Sequence, residues 1–386
     1  MDHSGPNHTP AAALGRTRSH AGSGHTLRLA VFSAKPYDRQ FLNSARQSHD
    51  TTLSNLKITY HNFALSQSTV SLARGCEAVC VFVNDHLDAS LLQSLHDYGV
   101  RAILLRCAGY DNIDLAAAEG LGFFVANCAY SPESVAEFAL ALIQTLNRKT
   151  HRAYLRVREG NFNLDGLLGR TLCGKTAGIV GIGRIGLALS RILVGFGCRV
   201  IAYDPYGENP SFLNYGAYVG SLDSLLSQSD IVSLHCPLTP QTRHIINDHT
   251  LQRVKPTAML VNTSRGGLID THAVVSALKD HRLGGLALDV YEGEESLFYV
   301  DHSGDIIEDD ELARLRVLPN VLLCGHQAWF TEESLEQISE CTLGNLEDYL
   351  TGRNCKFSLV HREKTVAATP QDAGQVAASG AGNGMH

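Results

Sequence analysis

The stretch from Ala177 to Asp204 constrains the fold more than any other part of this 386-residue chain. An apolar run, AGIVG, leads into Gly181-Ile182-Gly183-Arg184-Ile185-Gly186, and Ile185, Leu189, Ile192, Leu193 and Phe196 then recur at helical spacing. A second run, RVIAY, ends at Asp204, 18 residues beyond Gly186. Strand, glycine turn, helix, strand and acid in that order describe a βαβ unit built for a dinucleotide. One glycine permits the tight turn, one lets the backbone approach a pyrophosphate, and one lets the helix lie close on the strand. The open N–H groups at the helix start face phosphate oxygens. A carboxylate at position 204 accepts from a ribose 2′-hydroxyl and repels a 2′-phosphate, so the pattern favours NAD over NADP.

The rest of the chain repeats this alternation. Strand candidates are LRLAVFS (27–33), KITYHNF (57–63), AVCVFV (78–83), AILLR (102–106) and GFFVAN (122–127), followed by AGIVGI (177–182), RVIAYD (199–204), DIVSLH (230–235), AMLVNTS (258–264), GGLALDV (284–290) and NVLLCG (320–325). Helical patterns separate most of them, which predicts parallel sheets covered on both faces. A long helix is expected from Ser131-Pro132-Glu133, where Ser131 suits the N-cap, Pro132 the first turn and Glu133 the helix dipole. A final helix, about 331–350, is expected to cross back to the first unit. The expected architecture is α/β, with two doubly wound parallel-sheet domains. A flavodoxin-like substrate domain (27–130 and 331–361) is discontinuous and carries an inserted Rossmann NAD-binding domain (131–330). Residues 1–26 and 362–386, rich in Gly, Ala, Ser and Thr without apolar periodicity, read as disordered tails.

Charge and cysteine usage exclude other classes. With 39 acidic against 32 basic side chains the net charge is −7, which argues against nucleic acid or an anionic membrane as partner. No apolar run is long enough to span a bilayer. The ten cysteines form no CxxC pair and several sit in apolar stretches, so they read as free thiols in a reducing compartment and not as metal ligands or a disulfide framework. The N-terminal residues lack the apolar core of a secretory signal, and the expected location is the cytoplasm.

Three polar residues mark the reaction. Arg265 follows AMLVNTS, Glu294 follows GGLALDVYEG, and His326 follows VLLCG. Taken singly, each has a plainer account: a turn-capping Arg, a solvated Glu, a half-buried imidazole. Together at the carboxyl ends of strands in one doubly wound sheet, they converge on the ligand crevice beside the nicotinamide.

These residues lie in VGIGRIG (180–186), HCPLTPQT (235–242), VNTSRGGLID (261–270), ALDVYEGE (287–294) and GHQAWFT (325–331), a set in which the chain resembles the NAD-dependent D-2-hydroxyacid dehydrogenases. LDVYEGEESLFYVDHSGD, RCAGYDNIDL (106–115) and NCAYSPESVAEFAL (127–140) resemble the D-lactate dehydrogenase branch of that family. The likeness spans about residues 27–355. It implies reversible reduction of pyruvate to D-lactate by NADH, with His326 as the acid/base and Glu294 bonded to its other ring nitrogen, fixing the tautomer and favouring the charged ring. Arg265 would pair with the substrate carboxylate, helped by the backbone N–H groups of Ala108 and Gly109, with Tyr130 opposite. For NAD, the resemblance puts the pyrophosphate on Arg184 and Ile185, the adenosine ribose on Asp204 and its neighbours Cys236 and Pro237. Thr263, Ser264 and Asp289 would surround the nicotinamide, with Asp289 accepting from its carboxamide. A homodimer through the nucleotide domains is also implied. Two alternatives stand beside this reading: a dehydrogenase of bulkier 2-oxo acids such as phenylpyruvate, and an NAD-responsive corepressor of the same fold. The segment EGEESLFYVDHSGD argues against the second.

Overall fold

The computed structural model describes residues 26–49 and 52–360 of the chain. Apart from Thr26, the two expected tails lie outside the described residues. Two parallel sheets organise the rest. The first holds β1 (Arg28–Val31), β2 (Lys57–Tyr60), β3 (Ala78–Val81), β4 (Ala102–Leu105) and β5 (Phe124–Ala126) in the order β2-β1-β3-β4-β5, the doubly wound order of flavodoxin-like sheets. The second holds β6 (Thr176–Val180), β7 (Arg199–Tyr203), β8 (Gly216–Tyr218), β9 (Ile231–Leu234), β10 (Met259–Asn262), β11 (Gly285–Leu288) and β12 (Val321–Leu323). Its order, β12-β11-β10-β9-β6-β7-β8, reverses direction between β6 and β9 as a dinucleotide-binding sheet does.

The central strands are buried along their whole length because helices cover both faces, which is why their sequences run apolar without alternation. β8 is the one strand absent from the sequence-based set. It is three residues long and pairs only with β7. Residues read as strand ends, such as Ser33, Arg106, Asp204 and Ser264, have left the ladder and belong to the loops beyond it.

Two helices tie the halves together. Ser131 caps the helix Pro132–Arg148, its hydroxyl accepting from Glu133 N. Ala136, Ala139, Leu142, Ile143 and Leu146 of that helix pack with Ile179, Leu189 and Val261 under the second sheet. Thr331 caps the helix Glu332–Thr351, whose Leu343 and Leu346 pack with Leu29, Val31 and Leu104 of the first sheet. Among the described residues no helix is long and apolar enough to cross a membrane. All ten cysteines are free and all but Cys173 are buried or half-buried.

Register decides where the site falls. Val180 pairs with Tyr203 and Leu234, Leu234 with Asn262, Asn262 with Leu288, and Leu288 with Leu323, so these residues form one row across the sheet. Whatever follows them in sequence is delivered to the same edge.

Candidate active site

At the switch between β6 and β9, the three glycines divide their tasks by space. Gly181 has φ +91°, and a Cβ there would stand 2.7 Å from Cys236 N. A Cβ at Gly186 would overlap the carbonyl oxygen of Gly181, so this glycine lets the helix Arg184–Gly195 lie against the loop. Gly183, the N-cap, has nothing within 4 Å of its Cβ position. The opening is on the side where Arg184 and Ile185 begin the helix and offer unpaired N–H groups. Asp204, at the end of β7, accepts from Ile182 N at 2.8 Å and Tyr206 N at 3.0 Å, which pins the acid to the glycine loop. Cys236 is buried and Pro237 exposed beside it. Ser264 donates its hydroxyl to the Cys236 carbonyl at 2.7 Å. Thr263 Oγ1 is buried without a hydrogen-bond partner, an unmet polar group beside the cleft. The space at Gly183 and this unspent hydroxyl fit a dinucleotide lying along the strand ends.

One cavity of about 110 Å³ is lined from both sheets, by Ala108, Gly109 and Tyr130 from the first half and Arg265, Asp289 and His326 from the second. Asn127 Nδ2 donates to the Ala108 carbonyl at 2.7 Å and fixes the loop after β4. A Cβ at Gly109 would overlap the Arg265 guanidinium, so any side chain there would displace that group from its present place. Burial pushes the Tyr130 hydroxyl up to about 12, so it stays protonated, and its carbonyl accepts from Arg184 Nη2 at 3.1 Å.

His326 follows β12 and Gly325 with φ +55°, a left-handed backbone that costs a non-glycine residue about 1 kcal/mol or more. Neighbours hold it in place. Its N–H donates to the Asp289 carbonyl at 2.6 Å, and its carbonyl accepts from Tyr299 Oη and Trp329 Nε1, each at 3.0 Å. The ring bonds through Nδ1 to Glu294 Oε1 at 2.7 Å, leaving Nε2 for the cavity. Glu294 is itself oriented by Tyr291 N, which donates to Oε2 at 2.7 Å. The geometry thus joins an acid, an imidazole and an open ring nitrogen.

Asp289 has a task here beyond the one the resemblance gives it. Its two oxygens accept from Gln327 N at 2.9 Å and Ala328 N at 2.8 Å, so the carboxylate anchors the loop that carries His326. Burial raises its carboxyl above the ordinary range, against those bonds.

Arg265 lies where the two halves meet. Nη1 donates to the Ser264 carbonyl at 2.8 Å, while Nε and Nη2 reach the Asp111 carboxylate at 3.2–3.3 Å. Asp111 and Tyr299 were not among the sequence-based site residues, although both lie in segments that carry the resemblance. No pattern in either segment marks a partner so far away in sequence.

Comparison with known proteins follows the same line. The model of the "D-isomer specific 2-hydroxyacid dehydrogenase, NAD binding domain" family matches residues 140–328. A protein named 2-hydroxyacid dehydrogenase A, from Aspergillus oryzae, is 62% identical over 347 residues, 90% of this chain and 99% of its own length. D-lactate dehydrogenase kk1H from Curvularia clavata is 63% identical over 327 residues, 84% of this chain and 93% of its own. The apo structure of D-lactate dehydrogenase from Escherichia coli superposes with a TM-score of 0.77 at 45% identity, covering 86% of this chain and 100% of that one.

Proposed function

This chain belongs to the D-isomer specific 2-hydroxyacid dehydrogenase family and is an NAD-dependent D-2-hydroxyacid dehydrogenase, and we propose that its reaction is the reversible reduction of pyruvate to D-lactate. The observation that carries this reading is His326, bonded to Glu294 on one nitrogen and facing a small cavity with the other. In this reading the substrate carboxylate lies between the Arg265 guanidinium and the N–H groups of Ala108 and Gly109. A planar guanidinium matches the two carboxylate oxygens better than a point charge would. His326 gives its Nε2 proton to the keto oxygen as negative charge develops there, and in the opposite direction the neutral ring takes the hydroxyl proton. Glu294 touches no reacting atom; it fixes the tautomer and favours the charged ring. NADH, when bound, supplies the hydride to C2.

The cavity supports a small acyl group. Phe82 and Trp329 form part of its wall, their ring centroids 5.5 Å apart, and these bulky rings narrow the place where the acyl side chain would lie. The positions of Arg184, Ile185, Asp204, Cys236, Pro237, Thr263 and Ser264 at the glycine loop and the neighbouring strand ends support the nucleotide roles proposed for them. We also propose a homodimer through the second-sheet half, because the helix Thr150–Arg158 has no buried residue of its own. The free thiols suit a cytoplasmic protein.

A panel of 2-oxo acids with NADH tests the assignment. Pyruvate is expected to give the highest kcat/KM, and preference for phenylpyruvate over pyruvate would refute it. His326→Ala should lose roughly a thousand-fold in kcat while NADH affinity, read by fluorescence titration, stays as in the wild type.

A further inference from the structure

The chemistry above leaves the excursion after Glu294 without a task. Between the turn Glu294–Ser296 and the helix Asp310–Val317 the chain leaves the sheet and reaches toward the first-sheet half. Its central contact is Tyr299. Like His326, this residue has a left-handed backbone, at φ +67°. Its hydroxyl donates to the His326 carbonyl at 3.0 Å. Its own carbonyl accepts from Lys35 Nζ at 2.8 Å, a bond between residues 264 apart in sequence. Lys35 stands at the N-cap of the helix Pro36–Ser48 in the first-sheet half. Phe82, beyond β3, meets the Tyr299 ring edge-on at 5.2 Å between centroids. A second contact joins the same segments, with His86 Nε2 3.4 Å from Glu295 Oε2.

Tyr299 therefore grips the first-sheet half with its carbonyl and ring, and the backbone of His326 with its hydroxyl. Two left-handed, non-glycine residues in one small network stay there only while their neighbours over-determine them. We propose that Lys35 and Tyr299 form an inter-domain clasp that holds His326 in its working position, making Tyr299 a positioning residue of the reaction: losing the Lys35 bond lets the Tyr299 backbone relax and its hydroxyl leave His326. This rests on the reading of His326 as proton donor. Burial holds the Tyr299 hydroxyl far above the usual phenol range, so it remains a donor at any working pH.

The full-length enzyme with NADH and pyruvate tests the clasp. Tyr299→Phe deletes one hydroxyl and keeps the ring. It should lower kcat roughly ten-fold, as the loss of one buried hydrogen bond would, and should raise the isotope effect with deuterated NADH as chemistry becomes rate-limiting. NADH affinity should not move, and Tm should fall by only about 2–4 °C, the scale of one hydrogen bond in a chain of this size. Lys35→Met, a change at a half-exposed position, should give the same signature, and Lys35→Arg should restore the wild-type behaviour. Because both act through one network, the double variant should lose no more than the worse single variant. Wild-type kcat and isotope effect in either variant overturns the clasp. So do losses that multiply in the double variant, or losses that track Tm and NADH affinity. His326→Ala keeps the two readings apart. Retained turnover there refutes the proton donor, whereas a dead His326→Ala beside normal Tyr299→Phe and Lys35→Met variants refutes the clasp alone.

Discussion

Arg265 already holds one carboxylate, that of Asp111, along its Nε and Nη2 edge. A 2-oxo acid binding there must share or displace it. Partial desolvation pushes the Asp111 carboxyl up, but the charge and bonds of Arg265 outweigh this and hold it below the usual carboxylate range. Asp111 is therefore an anion at any working pH, and mild acidification does not relieve the competition. Asp111→Asn keeps the shape and removes the charge, so KM for pyruvate should fall about three-fold, the scale of a partly exposed ion pair, with kcat unchanged. A raised KM would mean that Asp111 instead aligns Arg265 for the substrate. Glu294→Gln probes the other side of the cleft. It keeps a side chain within reach of His326 Nδ1 but removes the carboxylate charge beside the ring. The kcat for pyruvate reduction should fall roughly ten-fold while NADH affinity stays as in the wild type, measured where the deuterium isotope effect shows chemistry to be limiting; an unchanged kcat would remove Glu294 from the mechanism.

At the scale of elements, the glycine loop allows stability and cofactor binding to be separated. Gly183 has open space where a Cβ would go, so Gly183→Ala should leave Tm unchanged while weakening NADH binding at least ten-fold, because the methyl enters the path of the pyrophosphate. Gly186 has the Gly181 carbonyl at that place, so Gly186→Ala should lower Tm and NADH affinity together. Differential scanning fluorimetry with and without NADH reads both, and equal Tm losses in the two variants would contradict the division of tasks. The glycine loop was legible in the sequence because a strand, a turn and a helix each leave a local mark there. The central strands were legible for a related reason: burial on both faces gives continuous apolar runs such as AVCV and GLAL. β8 escaped because Gly216-Ala217-Tyr218 has neither length nor alternation and owes its strand form to pairing with β7. Strand ends were overrun because Ser33, Arg106, Asp204 and Ser264 lie within two residues of the last paired residue, and their polarity alone does not mark where pairing stops. Arg265, Glu294 and His326 were legible as strand-end residues, whereas their partners were not. The bonds of Arg265 to Asp111 and of Lys35 to Tyr299 join residues 154 and 264 apart, and only the folded chain brings them together.

For the molecule as a whole, the second-sheet half carries a segment that a single chain does not explain. The helix Thr150–Arg158 spans nine residues and buries none of them. A helix that short is marginal in water without tertiary packing. It leaves Tyr154, Leu155 and Val157 exposed, and the loop beyond adds Phe162, Leu164 and Leu168, the last at 89% exposure. Exposed apolar side chains gathered along one segment of an otherwise well-packed protein support the proposed dimer interface. A second copy is the simplest occupant, since a two-fold axis lets the same segment serve both partners. A stable pair would have to cover about 1,200–2,000 Å² in total, which calls for the loop as well as the helix. Sedimentation equilibrium should therefore give about twice the chain mass of 41.8 kDa for the wild type. Replacing Phe162 and Leu164 together by Asp places two charges in the middle of that surface and should shift the mass to that of one chain at micromolar concentration. Neither residue lines the cavity between the two sheets, so NADH titration of the separated chains should still show binding. A wild type that sediments as one chain, or an Asp variant that remains paired, would mean that the segment Tyr154–Leu168 is covered by something other than its own copy.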